Sequence, residues 1–216
     1  MAVARNDRLI VPLLDPDAVE NQATVLTERE RMKVFPAAHD GRYDQILELL
    51  NTDSSVIDFQ DAHGNTPLNV ATIMGQVQIV ELLLDRNCDI EKANSANISP
   101  LGSAALGGHT RIVKALVETG ANMEHRAKSG LTPLHVAAQQ NNINLLEYLL
   151  DSGANVDQTA KNGDTALHIA VRENYLEMAE IIVGRDADVN VVNVRNSTPL
   201  SLASSKGYGH FIRMLI

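Results

Sequence analysis

Residues Gly130–Ala138 read GLTPLHVAA, and close copies of this string return along the chain. GNTPLNVAT begins at Gly64 and GDTALHIAV at Gly163, with SPLGSAA from Ser99 and STPLSLA from Ser197 as weaker copies. Pro67, Pro100, Pro133, Ala166 and Pro199 are separated by 33 residues each. A fixed period of this length is the signature of a stacked array of small units, none of which buries its apolar face alone.

Aligned in rows from Asp61, Asn94, Ala127, Ala160 and Asn193, the residues share one grammar. A polar turn comes first, with Gly64, Gly130 and Gly163 placed for a positive φ. Thr66, Ser99, Thr132, Thr165 and Thr198 then cap a helix whose first position is usually Pro. Leu68 and Ala71, Leu134 and Ala137, Leu167 and Ala170, and Leu200 and Ala203 line one face of that helix. It is expected to end near Gly75, Gly108, Asn142, Asn174 and Gly207. A second helix follows in VQIVELLL, TRIVKALV, INLLEYLL and LEMAEIIV, each with its own apolar stripe. Asn87 and Asp186 stand where Gly120 and Gly153 close this helix in other rows, and Cys88 stands where Ala121, Ala154 and Ala187 do.

The composition agrees with a helical stack. There is no Trp, and aromatics make up 3% of the 216 residues, so the core must come from Leu, Ile, Val and Ala. A net charge of −9 opposes nonspecific nucleic-acid binding, and the +3 carried by residues 193–216 is too small to reverse that. One cysteine allows no intrachain disulfide and fits a reducing compartment, so a cytoplasmic location is expected, the nucleus also being compatible. The first 17 residues are too short and too interrupted, at Pro12, to span a bilayer. The acceptor-like Asn97 and Asn196 tripeptides read as chance matches.

The period, the TPLHVAA string at Thr132–Ala138, Gly-Ala-Asn at Gly120–Asn122 and Gly153–Asn155, and Asp-Val-Asn at Asp188–Asn190 closely resemble the ankyrin repeat. The resemblance covers about residue 34 to the last residue. It implies an all-α solenoid of stacked helix-turn-helix units with β-turn or hairpin-like connecting loops. The repeats would fall at about 34–60, 61–93, 94–126, 127–159, 160–192 and 193–216. It also implies that His135 and His168 bond to backbone and tie neighbouring units together.

Residues 1–33 are expected to form a leader of capping helices. One starts at Asp15-Pro16 with Val19, Ala23 and Leu26 on a face, and a second follows a Thr27–Glu30 capping box. Shielding of the first repeat is the favoured role, and docking through Arg8–Leu14 the other. At the far end the chain stops at HFIRMLI, read as a short last repeat or one with more chain beyond. Phe211, Met214 and Leu215 are expected to leave an apolar edge there, which makes end-to-end association of an otherwise monomeric protein conceivable.

No phosphate loop, nucleophile elbow or metal-ligand spacing occurs, so neither catalysis nor a cofactor or metal is expected. Paired carboxylates such as Glu177 and Glu180 read as solvated helix faces. The expected activity is capture of another protein, in an adaptor or regulatory role, on the concave face made by turn tips and first helices. A host-directed effector and an enzyme with an unrecognised site are the alternatives. By the resemblance, the contact candidates are His63, Asn65, Ile73, Met74, Ile98, Leu106, Lys128, Leu131, Gln139 and Gln140. Lys161, Asp164, Arg172, Glu173, Arg195 and Lys206 continue the track. Its early part is apolar and its later part charged. Ile73 and Leu106 could instead pack between adjacent first helices, and Lys161, Asp164 and Arg172 could be ordinary solvated charges.

Overall fold

A computed structural model describes residues 25–216. The expected helix start at Asp15-Pro16, its Val19–Ala23 face and the Arg8–Leu14 segment lie outside the described residues. The capping box forms as read. The Thr27 amide donates to the Glu30 carboxylate at 2.9 Å and opens α1 (Glu28–Arg31). Just before it, the Leu26 amide donates to Asp53 Oδ2, and Arg31 Nε donates to the same oxygen, each at 3.1 Å.

Helix pairs then follow one another. They are α2 (Val34–Asp40) with α3 (Tyr43–Thr52), α4 (Pro67–Ile73) with α5 (Val77–Asp85), and α6 (Pro100–Leu106) with α7 (Thr110–Glu118). Next come α8 (Pro133–Gln139) with α9 (Ile143–Asp151), α10 (Ala166–Glu173) with α11 (Leu176–Val183), and α12 (Pro199–Lys206) with α13 (Gly209–Leu215). Pro36 lies within the first turn of α2, where a missing amide costs no helical bond. Main contacts run within pairs and between successive pairs, and first helices approach one another more closely than second helices do. Closer approach on one side bends the stack toward the first helices.

Alanine sets that approach. Ala38, Ala71, Ala104, Ala137, Ala170 and Ala203, one per pair at the 33-residue spacing, are all at 0% exposure. Behind this seam the second helices bury Ile79, Val80 and Leu83 on α5, and their counterparts Ile112, Val113 and Leu116 on α7. The links between helices are left-handed at Gly75, Gly108, Asn141, Asn174 and Gly207. Asn141 therefore takes the place expected for Asn142. The Asn142 side chain instead caps α9 by accepting from the Leu145 amide at 3.1 Å, because an Asn next to another Asn offers both a left-handed residue and a capping oxygen.

Besides the Gln76, His109 and Gln140 side chains, which bond the carbonyls of His39, Ile73 and Leu106 at 2.7–3.1 Å, three ladders of hydrogen bonds fasten successive pairs. At the turn tips, the amides of Ser95, Lys128, Lys161 and Val194 donate to the carbonyls of His63, Ala96, Ser129 and Asn162 at 2.9–3.2 Å. The tips are thus cross-linked as hairpins would be, without forming strands among the described residues. A Cβ on Gly130 would sit 2.5 Å from the Lys161 amide nitrogen, so glycine is needed there for closeness as well as for its φ of 81°. In the segments that follow the second helices, Asp58, Glu91, Glu124 and Asp157 accept from the amides of Asp89, Asn122, Asn155 and Asp188 at 2.7–2.9 Å.

The third ladder is incomplete. His135 Nε2 donates to the Asp164 carbonyl at 3.1 Å, and His168 Nε2 to the Ser197 carbonyl at 3.0 Å. Each Nδ1 accepts from the amide and hydroxyl of its own capping Thr132 or Thr165. Both rings are fully buried and must be neutral to accept at Nδ1. Asn69 and Gly102 occupy the same place in α4 and α6. Asn69 Oδ1 accepts from Thr66 as a ring would, but its buried Nδ2 meets no partner. Gly102 offers nothing.

The expected apolar edge at Phe211, Met214 and Leu215 is not what forms. Phe211 is fully buried, Leu215 nearly so and Met214 half-buried, because α13 turns this side of its stripe onto α11 and α12.

Ala137→Leu is expected to lower stability in urea unfolding by about 1–3 kcal/mol, since the seam has no room for three more carbons. Asn144→Leu, on the exposed side of α9, is expected to change it by about 0.5 kcal/mol at most.

The buried rings also set a pH dependence. Burial, above all, pushes the pKa of His135 and of His168 below the usual 6.5. As the pH falls, the unfolded chain takes up protons that the folded chain refuses. The rings' contribution is therefore complete above about pH 6.5 and declines below it, by up to about 1.4 kcal/mol per pH unit for each ring. Urea unfolding at pH 7.5 and 5.5 should show this loss. His135→Asn/His168→Asn should be less stable at pH 7.5 and should lose most of the slope.

Candidate functional site

The candidate contact residues lie where the turn tips and first helices place them, along one side of the stack. They are not equivalent. Ile73, Met74 and Leu106 are 38%, 41% and 40% exposed. Ile73 and Leu106 therefore do not fill the space between first helices. The alanine seam has already closed that space, and these two residues sit at the helix ends, beyond it.

Ile98 and Leu131 are half-buried and, with Gly102, Leu106, His125 and Val136, line an apolar cleft of about 90 Å³. Its origin is local. At the next junctions a histidine ring reaches from the third helical residue to the following tip. Gly102 holds that place in α6, and the space it leaves opens against Leu131, Thr132 and Pro133. Neither Gly102 nor Val136 was among the expected site residues. The signal was present in SPLG, where the copies at Thr132 and Thr165 carry His at the corresponding position.

Sixty-six residues further on, the same surface is polar. Asp164, Arg172, Asn193, Arg195 and Leu202 stand where Ile98, Leu106, Ala127, Ser129 and Val136 stand at the cleft, and they line a pocket of their own. Here one expectation fails. Asp164 is not a solvated charge but is 2% exposed. Asn162 and Asn193 donate to its carboxylate at 2.8 and 2.7 Å, and Arg172 Nη1 pairs with it. Burial alone would raise its pKa, but the bonds from Asn193 and Arg172 more than offset that and hold it below the ordinary carboxylate range. Arg172 is half-buried by this pairing and also meets Glu173, which is exposed, through Nε at 3.3 Å.

The remaining candidates divide into engaged and open side chains. Asn65 is held between Asp61 Oδ2 and Asn94 Nδ2, each at 3.0 Å. Gln140 is exposed but donates to the Leu106 carbonyl at 2.7 Å. Lys206 lies over the Tyr208 ring at 5.7 Å. His63 and Gln139 are exposed. Lys128, Lys161 and Arg195, at three successive tips, are exposed and have no ion-pair partner among the described residues.

No group of three His, Cys, Asp or Glu side chains is placed to hold a metal ion among the described residues. Cys88 is nearly buried, and burial pushes its thiol up to about 12, far from a reactive thiolate. No helix among the described residues is long and apolar enough to cross a membrane.

Comparison with protein families matches residues 1–94 and 92–160 to a family described as ankyrin repeats (3 copies), and residues 151–203 to one described as ankyrin repeats (many copies). No curated protein was found to match the chain. The matched segments span nearly the whole sequence and agree with the helix pairs and 33-residue ladders described above: the chain belongs to the ankyrin repeat family.

Proposed function

We propose that the protein captures a partner protein on its first-helix face, in an adaptor or regulatory role. Ankyrin repeats are generally protein–protein interaction modules. The observation that carries the reading to this face is the group of exposed apolar side chains, Ile73, Met74 and Leu106, beside the cleft at Gly102. Water-facing apolar groups at successive units cost free energy in an idle surface and become anchors when a partner covers them.

The surface is held by hydrogen-bond ladders between successive repeats, so little ordering entropy is lost on binding. In this reading residues 34–216 are the binding array, working as a monomer in the cytoplasm or nucleus. Residues 1–33 shield its first end, an arrangement supported by the anchoring of Leu26 and Arg31 on Asp53. Neither nucleic acid nor a membrane belongs to it.

Met74→Asp/Leu106→Asp is expected to abolish capture of peptide or protein ligands selected on the intact chain. Its melting temperature should fall by a few degrees at most, because both side chains lie at helix ends outside the buried core. Unchanged capture by a folded variant would refute this use of the face.

A further inference from the structure

The apolar cleft and three open cations belong to successive turn tips, Lys161 lying 33 residues after Lys128 and Arg195 34 after Lys161. Lys128 belongs to the tip beside the cleft, Lys161 to the next tip and Arg195 to the one after. All three are exposed and have no ion-pair partner among the described residues. Within the tip segments 127–131, 160–164 and 193–197 the one acidic residue, Asp164, is already engaged. Asp164 is buried under Arg172, Asn162 and Asn193, and Glu173 bonds Arg172. The tips therefore present Lys128, Lys161 and Arg195 with no exposed carboxylate in the tip segments themselves, next to a slot that takes apolar matter.

We propose that the partner presents an extended acidic segment with one aliphatic side chain seated in the cleft at Gly102 and carboxylates on Lys161 and Arg195. This rests on the protein-binding reading and narrows it to one chemistry. An apolar cavity of about 150 Å³ accepts a benzene ring, so a cleft of about 90 Å³ suits a Leu, Ile or Met side chain better than an aromatic one. Successive first helices are about 8–10 Å apart. An extended chain covers about 3.3 Å per residue, so one repeat corresponds to about three residues of ligand. The recognised pattern is then an aliphatic residue with acidic residues about three and six positions away, on the side leading toward Arg195. Lys128, beside the anchor, adds attraction without fixing the spacing.

The cleft exists because Gly102 replaces a ring, which supplies a decisive variant. Gly102→His places a side chain where His135 and His168 have theirs and offers Nε2 to the Leu131 carbonyl. Gly102 has no left-handed φ, and its Cβ would meet Ile98 Cγ2 at 3.1 Å, a contact that shifts by a few tenths of an ångström relieve, and Ser99 Oγ at an ordinary 3.6 Å. The variant should melt at a higher temperature than the parent and yet bind more weakly, a combination that misfolding does not produce.

The test is selection of a random dodecapeptide display library on the intact chain, followed by fluorescence titration of the enriched peptides. Enrichment of the aliphatic–acidic pattern is expected. Gly102→His should weaken binding by about tenfold or more. Lys161→Glu/Arg195→Glu, which alters only exposed side chains and keeps the test open if Gly102→His does not fold, should weaken it comparably and remove most of its salt dependence. Enriched peptides that are basic or uncharged, or that bind both variants as tightly as the parent, would overturn the proposal while leaving protein capture standing. So would tight binding of labelled polyuridylate that survives Gly102→His, which would assign the cations to nucleic acid. Peptides that bind the parent and Met74→Asp/Leu106→Asp alike would remove both this proposal and the reading it rests on.

Discussion

Everything in this molecule depends on how near two first helices can come. A methyl group at the contact permits a backbone approach that a larger side chain forbids, and six buried alanines at a 33-residue spacing provide it at each pair in turn. Close approach on that side alone curves the stack and brings consecutive turn tips within backbone hydrogen-bonding distance. It also leaves the last turn of each first helix protruding beyond the seam. The exposure of Ile73, Met74 and Leu106 follows from this geometry, so the packing that builds the array also creates its candidate binding surface.

What could be read from the sequence was mainly what is local. Thr66, Ser99, Thr165 and Thr198 cap their helices with bonds to an amide three residues on, and the Leu–Ala spacing lies on one helical face. Such features need only a few neighbouring residues and a known geometry. The substitutions Asn87 and Asp186 for glycine were equally legible, since both side chains tolerate the left-handed turn that they adopt.

What escaped is what one repeat does to the next. Asp164 looks like any exposed acid until Arg172, eight residues on, and Asn193, from the following tip, close over it. The acceptor series Asp58, Glu91, Glu124 and Asp157 was hidden among charges that resemble solvated faces, although its own 33-residue period was there to be noticed. The cleft was harder still, because a missing side chain leaves no motif. At the C-terminal end, Phe211 and Leu215 were assigned outward for want of a following repeat, whereas α11 and α12 suffice to bury them.

The array is not uniform along its length. Histidine ties cross the two junctions after α8 and α10, while the junctions after α4 and α6 have an Asn too short to reach and a Gly with nothing to offer. Candidate binding residues of apolar type gather at the junctions that lack a buried ring tie and are fastened instead by surface side chains, His109 on the Ile73 carbonyl and Gln140 on the Leu106 carbonyl. Native-state hydrogen exchange on the intact chain measures this directly, residue by residue. If each pair is held by its neighbours and by these ties, amides of α8, α9, α10 and α11 exchange slowest, and those of α4 to α7 open measurably sooner. Equal protection across all the helices, as a single indivisible core would give, would contradict the account.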